Sequence, residues 1–247
     1  MTPVPVALPE PMRLTALQAS AVDPDSLALL ARMAAAHRDV KTFSCRIRMR
    51  ASAGGREEMS TAFLQIQRPG SAAISVGENV KALSVVASGT DRRVIRDGKA
   101  IWTRGVRPDK AISEALSGAE FFTSPVFPLL VGAPNAADRI LPGKAVRLGR
   151  GNDEVLDGVP TDVVVADVET PGGTARLTFS IGRTDHFLRR VRIQARRGGS
   201  AMDLSEVYTD INVDGPIEPT VFRLDPPNRS APAPRPLRVP PPKGKAR

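Results

Sequence analysis

Bond chemistry at neutral pH needs a nucleophile, a base or a set of metal ligands, and this chain supplies few candidates. Its 247 residues hold two His and one Cys. Asp185-His186 is an adjacent acid–base pair of the kind that can orient an imidazole for proton abstraction in a hydrolase. It falls in the turn that follows Gly182-Arg183-Thr184, where a turn-capping Asp beside an exposed His is the expected reading. His37 stands on the flank of a predicted helix near its C-terminal turn. A partly exposed imidazole, favoured there by the helix dipole, is expected. Cys45 shares its parity with Phe43, Ile47 and Met49, so a buried, inert thiol is expected. Asp-Gly pairs at 97–98, 157–158 and 214–215 sit at predicted strand ends and lack the carboxylate spacing of a calcium loop. Gly149-Arg150-Gly151 opens no helix and is not a dinucleotide loop. No catalytic residue, metal or cofactor is expected, and the chain is not read as an enzyme.

Composition narrows the class further. At this length the chain fits one all-β domain, and a folded part of about 200 residues would bury roughly 70% of its unfolded surface. Aromatics make up 4%, so the core must be aliphatic. The net charge is +9, but residues 229–247 carry six Lys or Arg and no acid, which leaves +3 on the rest. The basic balance is thus largely a property of the tail, and nucleic acid is not an expected partner. No stretch reaches the ~18 apolar residues of a membrane span. Residues 1–22 read as a disordered arm, broken by four prolines; Ala19-Ser20-Ala21 leaves room for a trimmed leader.

The elements follow from period and punctuation. Asp23-Pro24 starts a helix running to about Val40, with Leu27, Leu30, Ala31, Ala34 and His37 as its stripe. Phe43 to Arg50 alternates apolar with Ser44, Arg46, Arg48 and Arg50; Gly54-Gly55 turns the chain, and Thr61–Gln67 returns with Ala62, Leu64 and Ile66 inward. Runs at 71–76 and 80–87 precede a hairpin joined at Asp97-Gly98. Residues 105–140 break the rhythm. Two prolines keep Phe121 to Val131 out of any central strand, and this apolar insert suits a core plug or a lid, the residues alone favouring the plug. Alternation resumes at 144–149 and enters the meander 161–195, where Leu177, Phe179, Val191 and Ile193 face one way and Arg176, Arg190 and Arg192 the other. A last strand, 201–213, shifts its apolar parity from Met202 and Leu204 to Val207, Ile211 and Val213, which predicts a bulge. Eight prolines in 225–247 predict an extended tail.

In their order, Leu27–Met33 running to Val40–Ser44, then Gln67-Arg68-Pro69-Gly70, Val94–Trp102, Leu156–Thr161 and Phe222–Pro227 resemble the LolA-like superfamily of outer-membrane lipoprotein carriers and related periplasmic proteins. The resemblance spans 25–227. It implies a mainly β fold with α: a curved antiparallel half-barrel of about ten to eleven strands, closed by the N-terminal helix and a short helical or loop lid. It makes residues 23–227 the domain, between the arm and a Pro-rich basic tail at 228–247, and favours the lid for 110–131. The expected function is a non-enzymatic, periplasmic or otherwise extracytoplasmic carrier of lipids or lipoprotein acyl chains, acting as a monomer. Leu64, Ile66, Leu177, Phe179, Val191 and Ile193 would line the sheet wall, with Trp102, Phe121, Phe122 and Phe127 beneath the lid. Arg46, Arg48 and Arg50 would meet anionic headgroups or solvate the outer face. The alternative is an envelope sensor or interaction module without ligand, which recruits a membrane-associated partner through the tail.

Overall fold

The computed structural model describes residues 22–77, 83–89, 91–96, 99–104, 125–133, 135–137, 140–141, 144–170, 173–197 and 200–224. The expected turn at Asp97-Gly98, the insert as far as Ser124, and the tail beyond Leu224 lie outside these residues.

Helix α1 spans Pro24–Arg38. Asp23 caps it, accepting from the Ser26 amide at 3.0 Å and the Ser26 hydroxyl at 2.5 Å. That bonding holds the Asp23 carboxyl below its usual range. The Asp23 N–H donates to the Leu148 carbonyl at 2.9 Å, which ties the helix start to the sheet. The buried stripe differs from the expected one. Leu29, Leu30, Met33, Ala34 and His37 are buried, whereas Leu27 is half-buried and Ala31 exposed. A helix this rich in Ala and Leu has two overlapping stripes of nearly equal hydropathy, and docking selects between them.

Twelve strands form one antiparallel sheet: β1 (Thr42–Ala53), β2 (Arg56–Gln67), β3 (Ser71–Val76), β4 (Leu83–Ser88), β5 (Asp91–Arg96), β6 (Lys99–Arg104), β7 (Lys144–Arg150), β8 (Glu154–Leu156), β9 (Val159–Thr170), β10 (Gly173–Gly182), β11 (Leu188–Arg197) and β12 (Ser200–Val213). Their order is β6-β5-β4-β3-β2-β1-β12-β11-β10-β9-β7, with β8 pairing β9 off this path, so the sheet stays open between β6 and β7. The strand beyond the expected number is β8, three residues too short to show a period. Hairpin turns supply the register: Gly54 and Gly55 both take positive φ, at 58° and 79°, as do Asp157 and Gly158, at 48° and 81°. Two successive left-handed residues match the twist of the strands they join, and Gly reaches that region without a Cβ clash.

The bulge expected in β12 is present, but later than its apolar residues suggest. Register against β1 shifts between Ser44 and Arg46, opposite Thr209–Asn212, and Asp210 takes φ 52°. Before the bulge, Met202, Leu204, Glu206 and Tyr208 share the inner face and Val207 the outer. A buried acid in that series hid the continued parity. After β12 comes a 3-10 turn, Pro219–Phe222, whose Phe222 packs with Ala73 and Val86 on the outer face.

Candidate functional site

The apolar face of the sheet is built as cross-strand rows. Cys45, Leu64, Ile74, Val85, Val94 and Ile101 form one row from β1 to β6. Met49, Glu206, Val191, Phe179 and Val164 form another from β1 to β9. Ala51, Leu204, Ile193, Leu177, Ala166 and Leu148 form a third, ending on β7. Because side chains alternate strictly, each row puts its residues on the same side.

Of the expected wall, Leu64, Ile66, Leu177, Phe179 and Val191 are buried together in one core, and Ile193 is half-buried against it. Phe127 is buried in the same core from a four-residue helix, α2 (Phe127–Leu130). Trp102 is not part of that wall. It pairs with Arg93 and stands on the outer face, its ring 5.7 Å from the Arg93 guanidinium. Its row neighbour on the inner side is Ile101, which is 60% exposed. The alternation of a short hairpin is legible in sequence, but which parity turns inward depends on four intervening register choices. Phe121 and Phe122 lie outside the described residues.

Among the described residues helical segments, and no second sheet, cover the wall where it is covered. α1 packs against β7, β9 and α2. The described end of the insert, Val126 to Leu130, contributes Val126, Phe127, Leu129 and Leu130 to the core. One guanidinium joins these pieces. Arg68 donates through Nε to the Leu130 carbonyl at 2.9 Å and through its Nη atoms to the carbonyls of Leu129 and Arg38, so it clasps the ends of both helices. Burial lowers the Arg68 pKa from its ordinary value.

His37 is buried, contrary to the exposed position expected. Its Nδ1 lies 2.8 Å from the Met33 carbonyl and must carry the proton, which leaves Nε2 to accept from the Leu188 amide at 3.5 Å. Phe187 meets the ring edge-on at 4.9 Å and Phe43 lies at 6.0 Å. This burial pushes the imidazole down to about 4, so it stays neutral. Asp185 does cap its turn, accepting from the Phe187 amide at 3.1 Å, and it pairs with Arg189. His186 is not joined to Asp185 by any hydrogen bond among the described residues, which leaves no base–orienter pair. Cys45 is buried and its thiol is pushed far up, first by burial and then by the charge of Glu206. Among the described residues no three His, Cys, Asp or Glu gather as a metal site.

Sequence reasoning missed the polar group within the wall. Glu206 is buried on the inner face and accepts from the Tyr208 hydroxyl at 2.6 Å. The signal was available: Glu206 and Tyr208 share the parity of Met202 and Leu204.

Toward the hairpin rim of β1, β10, β11 and β12 the wall thins to small side chains. Its outermost row is Ala53, Met202, Ala195, Ala175 and Val168, with Met202 44% exposed. Beside it Met49, Ala51, Glu58 and Ser60 enclose a hollow of about 260 Å³. Among the described residues the apolar face is covered at the α1 end, whereas at this rim Ala53 and Met202 are exposed.

The outer face is charged and largely self-neutralised. Arg50 grips Glu57 with two contacts of 2.9 Å, and Arg176 grips Asp167 at 2.7 and 3.2 Å. Arg192 holds Asp203, and Arg190 holds Glu154 at 2.6 and 2.8 Å. Each of Glu57, Asp167 and Asp203 is held below the usual carboxylate range by the arginine bonded to it. Arg46 and Arg48 also have acidic partners, Asp210 and Asp157. The basic row read from the sequence is thus mostly paired within the protein.

No family model matches the chain, and no curated protein matches it. Solved structures do resemble it. LprF from Mycobacterium bovis is 12% identical, with a TM-score of 0.48 over 81% of this chain and 97% of that one. The lipoprotein LppX of Mycobacterium tuberculosis is 16% identical, with a TM-score of 0.46 over 79% and 98%. A LolA superfamily protein from Nitrosomonas europaea is 11% identical, with a TM-score of 0.36 over 81% and 97%. A protein of the superfamily expected from the sequence is among these structures, and likeness at this level carries no argument about this chain.

Proposed function

We propose that this chain is a non-enzymatic binding or carrier protein for lipids or acylated proteins, with the alkyl chain laid against the inner face of the sheet. The carrying observation is the set of apolar rows across β1–β7 and β9–β12, interrupted by Glu206, covered in part by helical segments and thinning to alanines at the rim. A second sheet clamped face to face would leave no route for a ligand. The four-residue helix α2, clasped by Arg68, can be displaced more readily than α1, and the rim of Ala53, Ala175 and Ala195 gives a chain its way in.

Each CH₂ taken from water contributes about 0.8 kcal/mol, so sixteen carbons contribute roughly 13 kcal/mol when fully covered. That matches what the chain loses on leaving a bilayer only if contact is extensive, which requires α1 and α2 to close again over it. An extracytoplasmic setting, a monomeric state and the division into arm, domain 23–227 and tail belong to the same reading.

One observation favours a second reading. Leu64, Ile66, Leu177, Phe179 and Val191 are at most 1% exposed, so the protein's own side chains already fill the middle of the face. A sensor or interaction module with no ligand would look the same there. Native mass spectrometry and lipid extraction of the purified protein separate the two. Co-purifying acyl chains, or saturable uptake of a fluorescent fatty acid that is lost in Ala195→Trp, support the carrier. A ligand-free protein that takes up no fatty acid is the module.

A further inference from the structure

On the outer face, the tip of the β8–β9 hairpin stands over the β1–β12 ladder and encloses a cleft of about 410 Å³. The hairpin is held there from its base. The Glu154 carboxylate accepts two bonds from Arg190 and one from the Ser180 hydroxyl at 2.5 Å, and its carbonyl accepts from Thr161 Oγ1 at 2.9 Å. Leu156, Val159 and Val207 give the cleft apolar walls, and Arg46, Arg48 and Arg189 line it together with the carboxylates Asp157 and Asp210.

These three arginines hold their acidic partners through fewer contacts than Arg50, Arg176 and Arg192 hold theirs. Arg50, Arg176, Arg190 and Arg192 each grip a carboxylate through two or more contacts. In the cleft every grip is a single contact. Arg48 meets Asp157 through Nη2 at 2.9 Å, and Arg46 meets Asp210 through Nε at 3.4 Å. Arg189 meets Asp185 through Nη2 alone, while its Nε is buried without a hydrogen-bond partner. Three guanidinium groups therefore line one cavity, and the exposed single contacts of Arg46 and Arg48 are each worth at most about 1 kcal/mol. A phosphate presents several acceptor oxygens to such forks at once, which a lone carboxylate oxygen does not.

We infer that this cleft is an oxyanion site that takes a phosphate group, through Arg46, Arg48 and Arg189, with the hairpin tip at Asp157 giving way. The site lies on the opposite face from the alkyl-binding wall and does not depend on it. The phosphate has two sources by chemistry, a lipid headgroup at a bilayer surface or a soluble ion.

Titration of the ¹⁵N-labelled full chain with inorganic phosphate tests the site, and sedimentation with vesicles tests the source. The expected result is saturable shifts confined to Leu156, Val207, Thr209 and the arginine Nε signals of the cleft. Arg48→Gln, an exposed side chain whose loss leaves the fold intact by circular dichroism, weakens phosphate binding at least fivefold. Arg176→Gln, a fork-paired arginine outside the cleft, leaves it unchanged. Binding to vesicles of phosphatidylcholine with phosphatidic acid, lost in Arg48→Gln and absent with phosphatidylcholine alone, assigns the phosphate to a headgroup. Phosphate binding without vesicle binding assigns it to a soluble source. Shifts spread evenly over the outer face, equal weakening by both variants, or no saturable binding overturns the inference.

Discussion

Lowering the pH from 7 to 5 should weaken the docking of α1 (Pro24–Arg38), because the imidazole that anchors it has to lose its hydrogen-bonding role to become charged. Burial holds His37 at about 4 against an ordinary 6.5; the Met33 carbonyl and Asp185 oppose that shift, and Arg189 adds to it. The unfolded chain takes up the proton near 6.5, and the folded protein only near 4. Stability from this residue is therefore complete above pH 6.5 and is lost progressively as the pH falls toward 4, where the loss levels off. Each pKa unit corresponds to about 1.4 kcal/mol, so the loss is about 2 kcal/mol at pH 5 and about 3 kcal/mol at pH 4. Carboxylates such as Asp167 and Asp203, lowered by their arginines, titrate below this window and do not mask it. Urea unfolding followed by circular dichroism at pH 7, 6 and 5 measures the slope. His37→Gln should be less stable at pH 7 and nearly flat across the window. A wild-type protein with equal stability at pH 7 and 5, or a variant that keeps the wild-type slope, refutes the reasoning.

Removing the clasp should loosen the cover without unfolding the sheet. Arg68→Ala is expected to cost about 2 kcal/mol and to speed hydrogen exchange at Leu130 and Val131 far more than at Phe179. Phe179→Ala, at the centre of a packed row, should cost about 3–5 kcal/mol in urea unfolding, whereas Phe63→Ala, 44% exposed under Arg46, should cost below about 1 kcal/mol. The Cys45 thiol should resist an aromatic disulfide reagent until the protein unfolds; a fast reaction in the native state would show that the row from Cys45 to Val94 opens readily.

Period-two alternation was enough to place eleven strands and to say which residues of each hairpin share a face, because a half-buried sheet writes its geometry directly into residue order. It could not say how faces match between hairpins, and Trp102 shows the consequence: its alternation with Ile101 was plain, but its side was set by register through β2–β5. Burial of His37 was illegible for a different reason. It depends on Phe187 and Leu188, some 150 residues away, which make a polar ring acceptable in the core by bonding its second nitrogen. Arg68 follows β2 and precedes Pro69, and nothing local announces that its side chain reaches three carbonyls on two helices. The β12 bulge was legible in kind but not in place, because Glu206 interrupts the apolar series at a position where the parity in fact continues.

Both proposed surfaces stand on the same pair of strands. Along β1 and β12, Ile47 faces Tyr208 on the inside, while Arg46 faces Thr209 and Arg48 faces Val207 on the outside. The bulge at Asp210 falls next to these pairs, and Asp210 itself holds Arg46. An antiparallel ladder is stiff along its hydrogen bonds but gives way at a bulge, where one strand already carries an unpaired residue. The outer cleft therefore lies beside an irregular point of this ladder, where the bulge and the single Arg46–Asp210 contact meet. The net charge points the same way. With most outer-face arginines already gripping carboxylates, the +3 outside residues 229–247 is no broad basic field, and attraction to an anion is concentrated where the grip is weakest.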